Sequence, residues 1–377
     1  MSGMKKITKL AFRLHSWLGL ISGIFLLLLG LSGSALVFMK EIDQQLNASL
    51  LQVDPPVDKL QPNFISLDSV YRQITARHPN LAGVAWLNPD AGPQEAWAFR
   101  LYQNDGKLST YDLGLININP YTGAILREGR LRDFNPGLMH WILQFHWSFQ
   151  LGIPGLLLAT VFGITMLFSI MTGLVIYRKF VWRVLLFQVP FKWNNWRLAS
   201  SSLHRIFGVW TLVFNLIIFF TGFWMNLFSM DPAYWKKQMS PAPANTLAEI
   251  SMDQLLQRAK AAMPGLQIRN VYLPTQPDKD FRISGMLESQ LPLFHNPNTV
   301  SVDTRTGNVK HVQRLEDLGF WEKVESSFLP LHTGSFGPWP VRAFYVLLGF
   351  MPGMLSVSGA VLFWRRKNKF KRSEPLI

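Results

Sequence analysis

Long stretches without charge divide the chain into membrane-like and water-soluble parts. A helix needs about 20 apolar residues to cross the hydrocarbon core of a bilayer, and each uncharged stretch of this sequence is long enough. Each therefore predicts one transmembrane helix. A mean hydropathy of only +0.14 indicates that extensive polar segments lie between them. The uncharged stretches are Leu14–Met39, Phe134–Tyr177, Ile206–Met230 and Ala343–Trp364.

The two longest polar segments show the patterns of small α+β domains. In each, a serine precedes a short amphipathic helix and is expected to be its N-cap, Ser66 in the first segment and Ser251 in the second. Gln254 is expected to complete a capping box in the second segment. Strands are predicted after each helix, because apolar and polar residues alternate there. The predicted strands and strand–turn–strand units are Glu95–Tyr102, Ile116–Leu126, Phe281–Met286 and Thr299–Val312.

The chain is an internal duplication. The motif L-H-x-x-x-G opens the first predicted span at His15 and the third at His204, and each of these spans carries a hydroxyl–glycine pair whose glycine follows the histidine by 18 residues. In the second and fourth spans the glycine of such a pair follows His146 or His332 by 27 residues. The four pairs are Ser32-Gly33, Thr172-Gly173, Thr221-Gly222 and Ser358-Gly359.

This duplication predicts a membrane α-helical fold class. Four transmembrane helices form a duplicated pair, and each half contributes one α+β domain. The predicted boundaries are 1–40 for the N-terminal tail and first helix, 41–133 for the first α+β domain, 134–178 for an interface segment and the second helix, 179–202 for a loop, 203–230 for the third helix, 231–331 for the second α+β domain, 332–364 for an interface segment and the fourth helix, and 365–377 for a basic tail.

The net charge of +14 is concentrated in three short segments: before the first span, between the second and third, and after the fourth. They hold 16 basic residues and one acidic residue, so the rest of the chain is close to neutral. Basic residues mark the cytoplasmic ends of spans. Both termini and the middle loop are therefore expected in the cytoplasm and both α+β domains on the far side. No basic excess remains to suggest a nucleic-acid partner.

The sequence contains no cysteine. Disulfides, thiolate metal ligands, iron–sulfur clusters and covalent C-x-x-C-H haem attachment are therefore excluded. The apolar run near the N-terminus is longer than the 7–15 residues or so of a signal peptide, so we interpret it as an uncleaved first span.

Four of the eight histidines occupy repeated positions close to the predicted membrane boundaries: His15, His146, His204 and His332. The topology places His15 and His204 near one face of the membrane, and His146 and His332 near the other. Two histidines from facing helices can ligate a b-type haem, whereas zinc normally requires three or four protein ligands. We therefore expect two b-type haems, one with His15 and His204 as axial iron ligands and one with His146 and His332.

Other interpretations of these residues stay open. Histidines at span ends often serve packing alone, and the glycines of the first span admit a neighbouring helix as readily as a haem. His140 lies in the same uncharged stretch as His146 and could replace it as a ligand, although its counterpart in the second half is Ser326. Arg13 and Arg205 flank the cytoplasmic histidines and are candidates to pair with haem propionates, but their role in topology explains them equally well.

The histidine motifs and the hydroxyl–glycine pairs together resemble the PepSY-associated transmembrane family of bacterial iron-regulated inner-membrane proteins. The resemblance covers nearly the whole chain. It implies a multi-pass protein of the bacterial inner membrane, with periplasmic PepSY-like domains. For one branch of the family, the resemblance further implies two b haems and the reduction of ferric siderophores. The sequence segments that carry the resemblance are Leu14-His15 to Gly19, Phe145-His146 to Gly152, Leu203-His204 to Gly208 and Leu331-His332-Thr333-Gly334.

The expected activity is therefore that of a ferric-siderophore, or other ferric-chelate, reductase. Electrons would cross the membrane through the two haems and release ferrous iron in the periplasm, with no catalytic residue beyond the haem ligands. A membrane quinol or a separate reductase is expected as donor, because the chain has no nucleotide-binding glycine motif. The alternatives are a binding or regulatory protein without redox activity and a component of iron-chelate uptake.

Overall fold

The computed structural model describes residues 2–56, 64–103, 112–134, 137–239 and 242–372. Every predicted site residue lies within these ranges, whereas residues 373–377 of the predicted basic tail lie outside them. The described residues form fifteen α-helices: α1 Ser2–Leu36, α2 Met39–Leu46, α3 Ala48–Leu51, α4 Leu67–Arg77, α5 Leu138–Ser148, α6 Ile153–Tyr177, α7 Val181–Leu185, α8 Trp196–Trp210, α9 Leu212–Met225, α10 Pro232–Met239, α11 Met252–Ala262, α12 Phe320–Ser326, α13 Phe328–Thr333, α14 Trp339–Gly349 and α15 Met351–Arg372.

The chain divides into two compact units. The helical unit is drawn from residues 1–37, 156–227 and 331–377, and the sheet unit from 38–155 and 228–330. Each unit therefore takes segments from both halves of the duplication.

Three described helical segments of the chain are long and apolar enough to cross a membrane: Met4–Leu36 in α1, Ile153–Tyr177, which is α6, and Trp339–Arg365, which comprises α14 and part of α15. They correspond to the first, second and fourth predicted spans. The third prediction corresponds to α8 and α9, which meet at an angle of 68° and make a fourth span only if the bent pair is counted as one.

The bend between α8 and α9 occurs at Thr211. Its buried hydroxyl donates to the Phe207 carbonyl oxygen at 2.7 Å and accepts from the Asn215 side-chain amide at 2.9 Å. Side-chain hydrogen bonds of this kind compete with the backbone ladder of a helix and favour bending. The uncharged sequence alone did not indicate this interruption.

Glycine allows a close contact between two helices of the helical unit. A Cβ atom added to Gly30 of α1 would lie 2.7 Å from the carbonyl oxygen of Gly349, at the end of α14. The two backbones can approach this closely only because no side chain lies between them. Gly30 therefore serves the packing of α1 against α14.

The sheet unit contains one antiparallel sheet of eight strands, in the order β4-β3-β2-β1-β5-β6-β7-β8. The two halves of the chain meet where β1 pairs with β5, with Val84 opposite Leu273 and Trp86 opposite Val271. The two predicted α+β segments are thus joined in a continuous sheet. The strands are β1 Leu81–Trp86, β2 Trp97–Gln103, β3 Asp112–Ile118, β4 Ile125–Arg130, β5 Gln267–Leu273, β6 Phe281–Met286, β7 Asn298–Val302 and β8 Val309–Gln313.

Helices α4 and α11 supply apolar side chains to a core shared with the sheet. Their first turns cap each other: Asp253 accepts hydrogen bonds from the Leu67 and Asp68 amides, and Asp68 accepts one from the Met252 amide. Ser66 and Ser251 are the N-caps, as predicted, but the capping box expected with Gln254 does not form. The carboxylate of the other half supplies the additional cap instead.

Candidate functional site

His15 projects from α1 against α6. Its Nδ1 atom lies 3.0 Å from the carbonyl oxygen of Ser169 and 3.3 Å from the hydroxyl oxygen of Thr172. A carbonyl oxygen can only accept, so Nδ1 carries the hydrogen and donates it. The other ring nitrogen, Nε2, then keeps a free lone pair and can bind a metal ion.

His204 has the same environment in the second half of the chain. Its Nδ1 atom, on α8, lies 3.1 Å from the carbonyl oxygen of Leu355 and 3.0 Å from the hydroxyl oxygen of Ser358, both on α15. The carbonyl fixes the same tautomer as for His15. A hydrogen bond from Nδ1 to a carbonyl is the usual way in which a metal-ligating histidine is oriented.

The glycine of each hydroxyl–glycine pair makes room for an imidazole. A Cβ atom added to Gly173 would lie 3.2 Å from Cε1 of His15, and one added to Gly359 would lie 3.3 Å from Cε1 of His204. Any larger residue would press on the ring. Each hydroxyl–glycine pair found in the sequence therefore receives a histidine ring, and we call it the seat of that histidine. Its hydroxyl lies close to Nδ1, and its glycine leaves room for the ring.

The His15 and His204 rings are neighbours in an edge-to-face arrangement, with centroids 5.9 Å apart and ring planes at 82°. Two imidazoles on opposite sides of one metal ion should have centroids about 6 Å apart, because each nitrogen binds at about 2 Å and lies about 1 Å from its ring centre. The separation therefore fits a shared metal. It also fits an aromatic edge-to-face contact, for which centroids lie about 4.5–7 Å apart.

The donor set suits haem better than a bare metal ion. Among the described residues there is no cluster of three or more His, Cys, Asp and Glu side chains that could hold a metal. Two histidines are too few for a structural zinc site, whereas a haem provides the in-plane nitrogens itself and takes only axial ligands from the protein.

The two flanking arginines differ in their surroundings. Arg205 donates from Nε to the Ser201 carbonyl oxygen at 2.9 Å, one turn earlier in α8. Arg13 is exposed on α1. The Arg205 guanidinium is thus oriented along its own helix beside His204, and the Arg13 side chain faces the surroundings of the protein.

His332 repeats the arrangement a third time. Its Nδ1 atom, on α13, lies 3.0 Å from the hydroxyl oxygen of Thr221, and a Cβ atom added to Gly222 would lie 3.1 Å from its Cε1. The carbonyl oxygen of Ile218 also accepts a hydrogen bond from this ring. Three of the four repeated histidines therefore contact a hydroxyl–glycine pair of another helix.

His146 lies in the last turn of α5 and is partly buried. It belongs to the sheet unit, whereas His332 belongs to the helical unit. The pairing of these two histidines as ligands stays a prediction.

His140, also on α5, belongs to a buried charged cluster that the sequence did not indicate. Its Nδ1 atom lies 3.9 Å from a carboxylate oxygen of Asp43, which Arg127 contacts through Nη1 at 2.9 and 3.1 Å. Arg127 also donates from Nε to Asn117 at 2.9 Å. Burial, with the nearby Arg127 charge, lowers the pKa of His140 to about 4, although Asp43 opposes the shift. The ring is therefore neutral at pH 7.

Sequence reasoning found the histidines but not what holds them. The carbonyl oxygens of Ser169 and Leu355 are backbone groups and leave no residue-type signal. The hydroxyl–glycine pairs were visible as repeats, and each hydroxyl follows its carbonyl partner by three residues, as helical geometry requires. A repeated pair at fixed distance from a repeated histidine was thus the available signal.

Two comparisons with known proteins bear on these observations. The family described as the PepSY-associated TM region matches residues 12–366 of the chain. An uncharacterised protein of Pseudomonas aeruginosa is 25% identical over 258 residues, which make up 60% of this chain. The matched part spans 63% of that protein's length, which is less than two thirds.

Proposed function

Because the chain belongs to the PepSY-associated transmembrane family, we propose that it is a di-haem b reductase of the bacterial inner membrane. In this proposal it crosses the membrane four times, with the bent α8–α9 pair as the third span, and the sheet unit is periplasmic. Its substrate is a ferric siderophore or another ferric chelate that reaches the periplasm. The observation that supports the proposal is the pairing of His15 and His204, whose ring centroids lie 5.9 Å apart.

These two histidines would be the axial ligands of the haem nearer the cytoplasm. Each ring is held through Nδ1 by a carbonyl and a hydroxyl oxygen, which leaves Nε2 for the iron. Fixed ligand orientation reduces the rearrangement that would otherwise accompany a change of iron charge. When bound, a haem with two histidine ligands supplies one-electron transfer. Arg205 and Arg13 are positioned in sequence to meet its propionates.

The second haem would have His332 and His146 as ligands. What supports it is the seat of His332 on Thr221-Gly222, which matches those of His15 and His204. His140 is the alternative to His146. Its place beside the Asp43–Arg127 ion pair gives it a separate structural role, which favours His146.

Reduction would release iron because the two oxidation states prefer different ligands. Siderophores bind Fe(III), a hard cation of high charge, mainly through oxygen atoms, and Fe(II) is held much less tightly by such ligands. Each ferric ion takes one electron. The chemistry therefore needs an electron path to the periplasmic surface and no acid, base or nucleophile at the substrate.

The first experiment is a reduced-minus-oxidised spectrum with a pyridine haemochrome assay on the purified protein. The proposal expects two b haems per chain, and about one after His15→Ala or His204→Ala. His311→Ala is the matched control, because His311 lies on the edge strand β8 of the sheet unit and is exposed. The absence of a Soret band from protein made with sufficient haem would overturn the proposal.

The second experiment tests the substrate. The reduced protein should be reoxidised by a ferric siderophore, and a ferrous-specific chelator should trap one Fe(II) per electron lost. The gallium complex of the same siderophore is the control, since Ga(III) matches Fe(III) in charge and size but is not reduced. Equal reoxidation rates with both complexes would exclude the chelate as electron acceptor.

A binding or regulatory protein without redox activity is the second candidate. The 5.9 Å edge-to-face contact of His15 and His204 favours it, because such a contact stabilises helix packing without any metal. The same spectrum distinguishes the two, since only the reductase contains haem.

A further inference from the structure

A cavity of about 380 Å³ lies in the helical unit between α1, α8 and α15. Sites for small molecules have volumes of about 300–1,000 Å³, so the space is sufficient for a ring-sized ligand. Its walls are mainly apolar side chains, among them Leu27 of α1, Leu203 of α8 and Met354 of α15. Three of the lining residues carry a polar side-chain group: the hydroxyls of Ser200 and Ser358 and the indole N–H of Trp196.

Ser200 is the distinctive residue of this cavity. The residue is only 4% exposed and lines the cavity, and no hydrogen bond of its hydroxyl to another described residue is found, although the oxygen is not among the fully enclosed atoms. Hydroxyls of largely buried residues are mostly hydrogen-bonded. A ligand with one polar group among apolar surroundings would complete this site.

The cavity is also next to the haem-ligand candidate His204. Ser358 forms part of its wall, and the Ser358 hydroxyl lies 3.0 Å from Nδ1 of His204. A molecule in the cavity is thus separated from this histidine by a single side chain.

The cavity opens to the outer surface of the helical unit. Four residues of its lining are exposed: Phe350 by 43%, Leu31 by 45%, Val357 by 53% and Trp196 by 75%. In a unit built of membrane spans, that surface faces lipid. A ligand would therefore enter from the bilayer and must itself be lipid-soluble.

We propose that this cavity binds the ring of an isoprenoid quinol, with a quinol hydroxyl hydrogen-bonded to Ser200, and that the quinol is the electron donor of the reductase. The inference rests on the proposed function and names its donor. The apolar walls suit the ring and the first isoprene units, and the phenolic hydroxyl can hydrogen-bond the Ser200 hydroxyl. A phospholipid acyl chain fills apolar space equally well but offers nothing to Ser200.

The electrons balance. One quinol loses two electrons and two protons and becomes a quinone. The two electrons reduce two ferric ions, one after the other, and the two protons pass to water. No other reductant is required.

The test uses the full-length protein in lipid nanodiscs and a short-chain quinol such as decylubiquinol. Haem reduction is followed by absorbance after mixing, and dithionite in a separate sample gives the total reducible haem. Ser200→Ala should raise the half-saturating quinol concentration roughly tenfold, about the effect of one lost hydrogen bond. Met354→Trp, which fills the cavity, should abolish reduction by quinol. Both variants should give the wild-type spectrum with dithionite.

Two substitutions serve as matched controls. Ser201→Ala removes a hydroxyl from the same turn of α8 outside the cavity lining, and Leu347→Trp adds an indole at an exposed position of α14 outside that lining. Both should leave quinol-driven reduction unchanged. If they slow it as much as Ser200→Ala and Met354→Trp do, the cavity is not the site.

A binding measurement separates this inference from the proposed function. A photoreactive quinone should label peptides of α1, α8 or α15, and Met354→Trp should prevent the labelling. Labelling of a protein that contains no haem would retain the cavity site while the reductase proposal failed. Haem that dithionite reduces but quinol does not, together with phospholipid as the only molecule recovered from the cavity, would overturn the quinol site and leave the reductase in place.

Discussion

The imidazoles of His15 and His204 lie with ring centroids 5.9 Å apart, although the two residues are at equivalent positions in different halves of the chain. Each ring is held by the helix that ends the same half of the duplication, His15 by α6 and His204 by α15. The contact between the rings therefore joins the two halves. A single ligand position, once duplicated, provides both sides of a symmetric site.

The seat glycines should be essential for this site. Gly173→Val would place side-chain atoms closer to His15 than the 3.2 Å of the added Cβ, and the ring would have to move. We expect loss of the haem ligated by His15 and His204, which is about half of the total. The pyridine haemochrome assay measures it.

Gly92→Val is the control for that experiment. Gly92 belongs to the sheet unit, outside the histidine motifs, and a Cβ atom added there meets no heavy atom within 4 Å. The control variant should retain both haems. If Gly173→Val also retained both, with an unchanged spectrum, His15 would not be a ligand in the observed position.

The choice between His146 and His140 is decided by a pair of substitutions. His146→Ala should remove the second haem, the one proposed to be ligated by His332 and His146. His140→Ala should retain it, because His140 is held beside the Asp43–Arg127 ion pair. The haem content of each variant and of the double variant gives the answer. Loss of haem in His140→Ala with retention in His146→Ala would reverse the assignment and show that the repeat does not extend to this ligand.

The stability of the sheet unit should depend on pH through His140. Burial and the Arg127 charge lower the pKa of this ring from 6.5 to about 4 in the folded protein. Between pH 4 and pH 6.5 the His140 ring is therefore protonated in the unfolded chain and neutral in the folded protein. The free energy of unfolding should therefore fall as the pH falls from 6.5 to 4, by at most about 1.4 kcal/mol per pH unit. Above pH 6.5 this group should have no effect.

Urea unfolding of the full chain in detergent, followed by tryptophan fluorescence, measures this dependence. His140→Gln keeps a polar side chain but cannot titrate, so its pH profile should be flatter than that of the wild type in the same window. Contributions from groups remote from His140 are common to both proteins and cancel in the difference. Parallel profiles would mean that His140 is not buried in its neutral form.

The sequence was sufficient where a local pattern determines the structure. Uncharged stretches located the three long apolar segments and the bent α8–α9 pair, and period-two alternation located strands such as Phe281–Met286, which the structure reproduces residue for residue. Contacts between distant residues were not accessible in this way. Asp43 and Arg127 are each ordinary charged residues in the sequence, and only the fold brings them within 2.9 Å.

The reciprocal caps of Asp68 and Asp253 show the same limit. A local capping box with Gln254 was the natural prediction, because sequence reasoning considers only neighbours along the chain. In the structure the Met252 amide is satisfied by Asp68 from the other half. The pairing of β1 with β5 likewise depends on how the two halves dock, which no pattern within either half specifies.

The orientation of the protein in the membrane gives the last prediction. The chain has no cysteine, so a single introduced cysteine is the only thiol that an impermeant maleimide can label. Asp54→Cys and Asp278→Cys, at exposed positions of the sheet unit, should react in intact spheroplasts. Gln188→Cys, exposed in the basic loop between α7 and α8, should react only after lysis. The physical reason is the concentration of basic residues in that loop and at both chain ends, which favours the cytoplasmic side. The opposite labelling pattern would place the sheet unit in the cytoplasm, where it could not receive a ferric chelate from the periplasm, and the proposed direction of electron transfer would be wrong.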